Sequence, residues 1–265
     1  MKKAIFFSIC AILILGCQKA KKDTQTEVLQ EEWIQLFNGK DLDGWKVKIA
    51  GYPVGENFEN TFRVEDGLLK AGQEYKDGFN SRYGHLITDN EYSHYKLRAE
   101  YRFFGNHTPE APQWSYLNNG LMLHSQSPES MHIDQWFPAS IEAQLLGSDE
   151  KAQRSTGNVC TPGTDIFIDG YLYPDHCAGS SSRFYDWDKW TTIEIVVLAD
   201  SIVHHIMDGD TIMTYTHLTV DGQGLNTETN ITPGALKSGR IAIQSEGHPT
   251  EFRKIELLDL SNKQY

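Results

Sequence analysis

Apolar and polar residues alternate with a period of two through much of this chain, and this pattern strongly limits what it can fold into. From Tyr95 to Phe103 the apolar residues take every second position and charged residues fill the gaps. Successive side chains of a β-strand point to opposite faces, so the pattern predicts a strand with one buried and one solvated face. No window shows the period of a long amphipathic helix. The chain is therefore expected to be all-β.

Turn signals divide the chain into many short strands. Asp66-Gly67 and Asp208-Gly209 each separate two alternating runs, and Asp-Gly is a favoured dipeptide in two-residue hairpin turns. Neither an internal repeat nor a break in composition separates one part of the chain from another. We predict a single domain over residues 33–265, a β-sandwich of the jelly-roll type.

The charge of the chain excludes some classes of partner. Its 265 residues include 24 Lys and Arg against 36 Asp and Glu, a formal net charge of −12. Such a chain is repelled by phosphate backbones and by anionic membrane surfaces. We therefore expect no nucleic-acid partner, whereas a small neutral or polar substrate is compatible with the charge.

The first residues resemble an export signal. Two lysines precede the apolar run Ile5–Leu15, and Gly16-Cys17 offers a small-residue cleavage site. The run is too short for a membrane-spanning helix, which needs about 20 residues. The residues ending at Cys17 are similar to a bacterial lipobox, so residues 1–16 are expected to be a lipoprotein signal and Cys17 to carry the lipid. The alternative is an ordinary signal peptide that is cleaved elsewhere.

This assignment has consequences for location and for the remaining cysteines. Residues 17–32 are polar and lack apolar periodicity, so we expect a tether that holds an exported lipoprotein to a membrane, in the periplasm or at the cell surface. Cys10 leaves with the signal, and Cys160 and Cys177 remain as a pair in an oxidising compartment. They are expected to form a disulfide. A metal-thiolate site that includes His176 is the alternative.

Three predicted strands carry polar residues of a kind that suits chemistry. In the strand Ile141 to Leu145, alternation sends Glu142 and Gln144 together to the face opposite the core. The same rule turns further residues away from the core: His124, Gln244 and Glu246, with His248 at a strand end. Such a face is suited to hydrogen-bonding sugar hydroxyls. The alternative is a solvated face whose Gln and Glu serve solubility.

Aromatic residues lie in the turn-rich stretches beside these strands. Trp114 and Trp136, with Tyr116 and Phe137 close by in the sequence, could stack their rings on the C–H faces of sugars. We predict that Trp114 and Trp136, with Gln144 and Gln244, bind substrate. The alternative is that the aromatic rings anchor loops on the sandwich.

Several ordered motifs of the chain resemble those of the 3-keto-disaccharide hydrolase family. They are Leu36 to Trp45, Asn118 to Leu121, Ile141 to Leu146, Gly239 to Pro249 and Glu251 to Ile255. The resemblance covers roughly Trp33 to Leu260, and the stretch that contains Cys160 and Cys177 is similar to a subgroup insert. Many members carry Arg where this chain has His124, so arginine contacts are not transferred to that position.

The resemblance implies a concanavalin-like jelly roll that acts on glycosides whose C3 hydroxyl has been oxidised to a ketone. The ketone acidifies the C2 proton, so a base can remove it, the C1 substituent can leave, and water can add back. Glu142 is the candidate base. His124 or one divalent metal ion is the candidate electrophile, with His124, Glu246 and His248 as metal ligands. A glucoside 3-dehydrogenase is the expected pathway partner.

Two other functions compete with this one. Conventional glycosidases of this architecture often place two carboxylates in a Glu-x-Asp-x-x-Glu strand. The corresponding positions here are Glu142, Gln144 and Gly147, which disfavours that mechanism. The remaining alternative is a non-catalytic carbohydrate-binding module at the cell surface.

Overall fold

Two antiparallel sheets make up the protein in a computed structural model that describes residues 31–73, 75–227 and 231–262. Eleven strands form one sheet and seven form the other within these residues. The strands are β1 (Trp33–Gln35), β2 (Trp45–Ile49), β3 (Phe62–Glu65), β4 (Leu68–Ala71), β5 (Gly84–Thr88), β6 (His94–Phe103), β7 (Asn118–Ser125), β8 (Ile141–Leu146), β9 (Asn158–Cys160), β10 (Thr164–Ile168), β11 (Tyr171–Leu172), β12 (Cys177–Ala178), β13 (Thr191–Leu198), β14 (Ile202–Met207), β15 (Asp210–Val220), β16 (Gly234–Ala235), β17 (Arg240–Ser245) and β18 (Thr250–Asp259).

In the part of the chain that the structure describes, helical structure is confined to three short 3₁₀ segments: Phe58–Asn60, Gln113–Ser115 and Pro128–Ser130. Among the described residues, no helix is long and apolar enough to span a membrane. The predicted signal at residues 1–16, the lipid-bearing Cys17 and nearly all of the predicted tether lie outside the described residues. Those assignments stay predictions.

The larger sheet runs in the order β11-β10-β15-β14-β13-β6-β18-β4-β3, with β1 on β18 and β16 on β15. Its central strand β6 alternates between half-buried and buried positions along its whole length. The predicted strand from Tyr95 to Phe103 is confirmed. Charged residues of its outer face pair across strands, as Arg98 does with Glu194 at 2.6 Å and with Glu256 at 2.7 Å.

The smaller sheet runs in the order β12-β9-β8-β7-β17-β5-β2. Its inward side chains, such as Leu121, Ile141 and Ile243, pack against those of the larger sheet in one core. Every residue of β7 is buried, so the outer face of this sheet is covered as well. A separate apolar cluster, formed by Ile87, Met122, Met131 and Ala242, lies on it. The polar residues of this face are therefore enclosed rather than solvated.

A bulge between β7 and β17 changes the direction of one predicted site residue. Arg240 pairs with Ser125 and Ala242 with Met122, so two residues of β7 lie opposite one residue of β17. His124 has a φ of +49° at this point. Its ring packs on that of the core residue Tyr95, with the centroids 5.7 Å apart. The prediction that alternation turns His124 away from the core is wrong, because the bulge interrupts the alternation.

Candidate active site

A cavity of about 410 Å³ opens on the outer face of the smaller sheet. It lies over the strands from β12 to β17 and is bounded by the loops that follow them. Its lining residues are Trp114, Asn118, Phe137, Glu142, Gln144, Arg154, Cys160, Pro162, His176, Cys177 and Glu246. Of the predicted site residues, the structure brings together Glu142, Gln144, Trp114 and Glu246 here.

Strand β8 carries two of these residues on one face, as alternation predicts. Glu142 lies between Met122 of β7 and Cys160 of β9 in the ladder. Gln144 lies opposite Asn158, whose amide Nδ2 donates to the Gln144 side-chain oxygen at 3.1 Å. This hydrogen bond fixes the orientation of the Gln144 amide, so its own NH₂ group is available toward the cavity.

Gly120 of β7 provides the space that the Glu142 side chain occupies. A Cβ atom at Gly120 would lie 2.5 Å from Oε1 of Glu142 and 2.7 Å from its Cγ. These distances are far below van der Waals contact, so any larger residue would displace the carboxyl group. The conformation of Glu142 therefore depends on a glycine in the neighbouring strand.

Two buried carboxyl groups share the cavity. Burial raises the pKa of Glu142 to about 8. Burial also raises the pKa of Glu246 well above its ordinary value, the nearby Glu142 raises it further, and Arg154 opposes the shift. Oε1 of Glu246 has no hydrogen-bond partner among the described residues. A carboxyl pair of this kind can divide the roles of base and acid between its members.

Arg154 supplies the positive charge of the cavity, and the sequence analysis missed it. Its Nη2 donates to the backbone carbonyls of Tyr116 and of Leu117, the latter at 3.1 Å, while its Nε is buried without a partner among the described residues. Burial lowers the pKa of Arg154, but a guanidinium stays protonated in proteins. Arg154 lies between β8 and β9, where no periodic pattern marks it.

Aromatic rings form one side of the cavity. Trp114 is half exposed and lies parallel to the Tyr83 ring, with the centroids 5.9 Å apart. Phe137 packs on the same tyrosine at 5.0 Å. Trp136 does not line the cavity. Its ring packs on that of Tyr83, with the centroids 4.9 Å apart.

The opposite side of the cavity belongs to the segment between β9 and β12. Cys160 and Cys177 form a disulfide there, with Cα atoms 4.1 Å apart, and the predicted pairing is confirmed. Pro162 and His176 complete this side. Within the described residues, the only group of three close metal-ligating side chains is Cys160, His176 and Cys177. The disulfide occupies both sulfur atoms, which rules out the alternative of a metal-thiolate site in this structure.

The chain matches the family model described as "3-keto-alpha-glucoside-1,2-lyase-like domain" over residues 32–258. The chain belongs to this family. The match covers most of the sequence and confirms the resemblance that the ordered motifs carry. No curated protein matches the chain.

Solved structures similar to this member of the 3-keto-glucoside lyase-like family show the fold. A candidate glycosyl hydrolase from Parabacteroides distasonis is 17% identical, covering 86% of this chain and 94% of its own, with a TM-score of 0.51. A second one from that organism is 19% identical, with coverages of 86% and 84% and a TM-score of 0.51. A Bacillus subtilis protein with a galectin-like fold is 10% identical, with coverages of 87% and 97% and a TM-score of 0.50. The predicted concanavalin-like jelly roll is confirmed.

The metal ligands that the family resemblance suggested do not form one group. His124 lines a different cavity, together with Ser238, and its Nδ1 bonds the carbonyl of Leu236 at 3.1 Å. Glu246 faces the cavity of Glu142. Four aromatic rings surround the ring of His248, with centroids 5.4 to 6.3 Å from its own. They belong to Phe103, His107, Tyr116 and Trp187. This donor set does not fit a single cation.

Gln244, a predicted substrate-binding residue, lies beside the cavity rather than in its lining. Its side chain is fully buried on the outer face of β17, opposite His85 of β5. Asn119 fixes the strand at this point, because its Nδ2 donates to the Gln244 carbonyl at 2.7 Å. The side-chain amide of Gln244 has no partner among the described residues.

Proposed function

We propose that this protein cleaves 3-keto-glycosides by removing the C2 proton, expelling the C1 substituent and adding water to the unsaturated sugar. Membership of the 3-keto-glucoside lyase-like family supports a carbohydrate-related function. The observation that carries the proposal is the pair of buried carboxyl groups, Glu142 and Glu246, in one cavity with the guanidinium of Arg154. Elimination beside a ketone needs a base, an acid and a stabiliser of negative charge.

Glu142 acts as the base. Its raised pKa makes its carboxylate a stronger base than an exposed one, which suits a carbon acid. When the C2 proton moves to Glu142, the electron pair of the C–H bond becomes the enolate of the C3 ketone. Arg154 stabilises the developing oxyanion, because its guanidinium is partly buried and solvent screens its charge less than that of an exposed arginine.

Glu246 acts as the acid. Burial and the nearby Glu142 raise its pKa well above the ordinary value, because two like charges cannot both form readily in the same cavity. The enolate electrons form the C1–C2 double bond while the C1–O bond breaks. The leaving oxygen takes the proton of Glu246, so an alcohol and an unsaturated 3-keto sugar result.

During water addition the two carboxyl groups exchange their roles as acid and base. Glu246, now ionised, takes a proton from the water that attacks C1, and Glu142 returns its proton to C2. The sum of the steps is hydrolysis of the glycosidic bond, with both carboxyl groups restored. No step is assigned to a metal ion, because His124, Glu246 and His248 do not converge on one point.

Binding is assigned to the residues around this pair. Gln144 offers an amide that is oriented by Asn158, and Trp114 offers a half-exposed ring at the aromatic side. Such rings stack on the C–H face of a sugar while amides bond its hydroxyls. The substrate must come from an enzyme that oxidises the C3 hydroxyl, so a glucoside 3-dehydrogenase is the expected supplier.

One assay separates this proposal from its alternatives. Purified protein is incubated with a 3-keto-glucoside and, separately, with the unoxidised parent glucoside. We expect the oxidised compound alone to release its aglycone, and Arg154→Met to slow that release. Cleavage of the parent would indicate a conventional glycosidase, and binding without cleavage of either compound would indicate a carbohydrate-binding module. Either result would overturn the proposal.

A further inference from the structure

Gln244 and His85 form a buried polar pair that the fold leaves without partners. They lie directly opposite each other on β17 and β5, and neither has measurable exposure. Both side-chain atoms of the Gln244 amide and both ring nitrogens of His85 lack hydrogen-bond partners among the described residues. A buried polar group without a hydrogen-bond partner lowers the stability of the fold, so the sequence retains this pair at a cost in stability.

The pair adjoins the candidate active site. Gln244 and Glu246 alternate with core residues and share the outer face of the smaller sheet, and two residues along a strand span about 7 Å. Phe137 separates the pair from the cavity, because its ring lines the cavity and also meets the His85 ring edge-on at 5.9 Å.

The segment that carries Phe137 is held mainly through its backbone. Gly51 donates its N–H to the Ile133 carbonyl at 2.8 Å, and Gln126 donates its N–H to the Ala139 carbonyl at 2.8 Å. Trp136 donates its backbone N–H to Asn226 Oδ1 at 2.7 Å, and Asn226 Nδ2 donates to the Asp134 carbonyl at 2.8 Å. Lys48 Nζ donates to the Ile133 carbonyl at 2.8 Å. None of these bonds involves the Phe137 side chain, so its ring can move without breaking them.

We propose that His85 and Gln244 form a second sugar subsite, which binds hydroxyls of the leaving saccharide once the Phe137 ring moves aside. The inference rests on the proposed function, because Glu246 as the acid must meet the leaving oxygen, and Gln244 lies two residues before Glu246 on the same face. An amide and a neutral imidazole each offer both donors and acceptors, as hydroxyl groups do. Burial, with Lys48 nearby, lowers the pKa of His85 to about 3, which keeps the ring neutral.

The test measures binding and stability in the Glu142→Gln background, where turnover does not interfere. The probes are a 3-keto-disaccharide whose leaving group is glucose and the methyl 3-keto-glucoside. We expect Gln244→Met to weaken disaccharide binding about tenfold or more, as lost hydrogen bonds to hydroxyls imply, and to leave the methyl glycoside unaffected. The melting temperature should stay the same or rise, because an unpaired amide is removed.

Gln135→Met is the matched control for stability. Gln135 is equally buried, but its Nε2 donates to Gln126 Oε1 at 2.8 Å and to the Phe137 carbonyl at 2.7 Å. The same substitution there should lower the melting temperature. His85→Leu provides a second variant with the expectations of Gln244→Met, should that variant fail to fold.

A lower melting temperature in both subsite variants with unchanged preference for the disaccharide would overturn the subsite, since the pair would then be structural. Equal affinity of the Glu142→Gln protein for the two probes would also overturn it. Failure of the proposed function has a different signature. In that case wild-type protein would not turn over either probe, while the Gln244-dependent binding of the disaccharide would persist.

Discussion

Glu142 is buried in the fold and still faces a cavity, and this combination determines its chemistry. A carboxyl group in water ionises well below neutral pH, whereas burial without a cation in contact favours the protonated form. Glu246 lies in the same cavity, so the two carboxyl groups titrate as a pair beside the charge of Arg154. The account therefore predicts a pH dependence that an exposed carboxylate would not produce.

Turnover of a 3-keto-glucoside should increase with pH through the neutral range. Glu142 must be ionised to accept the C2 proton, and burial raises its pKa to about 8. Burial and the nearby Glu142 raise the pKa of Glu246 as well, so the acid stays protonated above the range of an exposed carboxyl group, and the optimum of kcat/KM lies above that range. A profile of initial rates measures this, and an optimum near pH 5 would contradict it.

The same shift predicts how stability depends on pH. The folded-state pKa of Glu142 lies above its ordinary value of 4.5, so its contribution to stability is fully present below that pH and is lost as the pH rises through about 8. Glu142→Gln removes this loss. The melting temperature of the variant should exceed that of wild-type protein at pH 8 more than it does at pH 4.5.

At the scale of the elements, the close packing of β7 against the Glu142 side chain can be tested directly by substitution. Gly120→Ala places a Cβ atom 2.5 Å from the Glu142 Oε1 position, so the carboxyl group must move. Turnover should fall by at least about tenfold because a displaced base loses its alignment, while the protein still folds. Initial rates and circular dichroism measure both effects.

Gly179→Ala is the control for that substitution. A Cβ atom at Gly179 would meet nothing nearer than Ser155 Oγ at 3.9 Å, so its turnover should match wild type. Equal rates for Gly120→Ala and Gly179→Ala would show that the position of Glu142 does not depend on Gly120.

The disulfide between β9 and β12 should contribute measurably to stability. It joins residues 17 positions apart, and in the chain-entropy model closing such a loop stabilises a protein by about 3 kcal/mol. The double variant Cys160→Ser, Cys177→Ser should lose free energy of unfolding of this order in urea titrations. Reduced wild-type protein should show a similar loss, and unchanged midpoints in both samples would refute the prediction.

Alternation predicted the site wherever the strands are regular. Strand β8 has no bulge, so Glu142 and Gln144 lie on the face that the sequence indicates. His124 does not, since the bulge beside it adds a residue that period-two reasoning cannot detect. Gly239 is a local signal for that bulge, because a Cβ atom there would lie 2.4 Å from the His124 backbone.

The alternation of apolar and polar residues could not predict the positions of residues in loops. Arg154 lies outside any strand and is oriented by backbone carbonyls, which depend on the tertiary fold rather than on nearby sequence. Gln244 was predicted to bind substrate from its face alone, and its enclosure beneath Phe137 depends on a loop more than 100 positions away in the sequence. The sandwich could thus be predicted from periodicity, whereas the loops that cover the polar face of the smaller sheet could not.

At the scale of the whole molecule, the two outer faces of the sandwich differ in kind. The larger sheet presents partly exposed ion pairs such as Lys96 with Glu194 at 2.7 Å, which suit a solvated surface. The smaller sheet is covered by loops and apolar residues, with a cavity that contains buried acids. We therefore propose that substrate binds on the side of the smaller sheet.

We propose that the whole protein is held at a membrane through lipid on Cys17, which follows a signal-like run. Cys17→Ser should then move the protein from the membrane fraction to the soluble fraction in cells that export it. The melting temperature of the domain should not change. Unaltered membrane fractionation of the variant would refute the anchor.

The central claim is that Glu142 removes the proton at C2 of a 3-keto-glucoside. Deuterium exchange at C2 in heavy water tests it most directly, because it reports proton removal independently of later steps. General-base catalysis contributes about 10²–10⁴ in rate, so Glu142→Gln should exchange at least about 10²-fold more slowly than wild-type protein. Glu100→Gln, on the charged outer face of β6, should exchange at the wild-type rate. Exchange by Glu142→Gln at the wild-type rate would contradict the account.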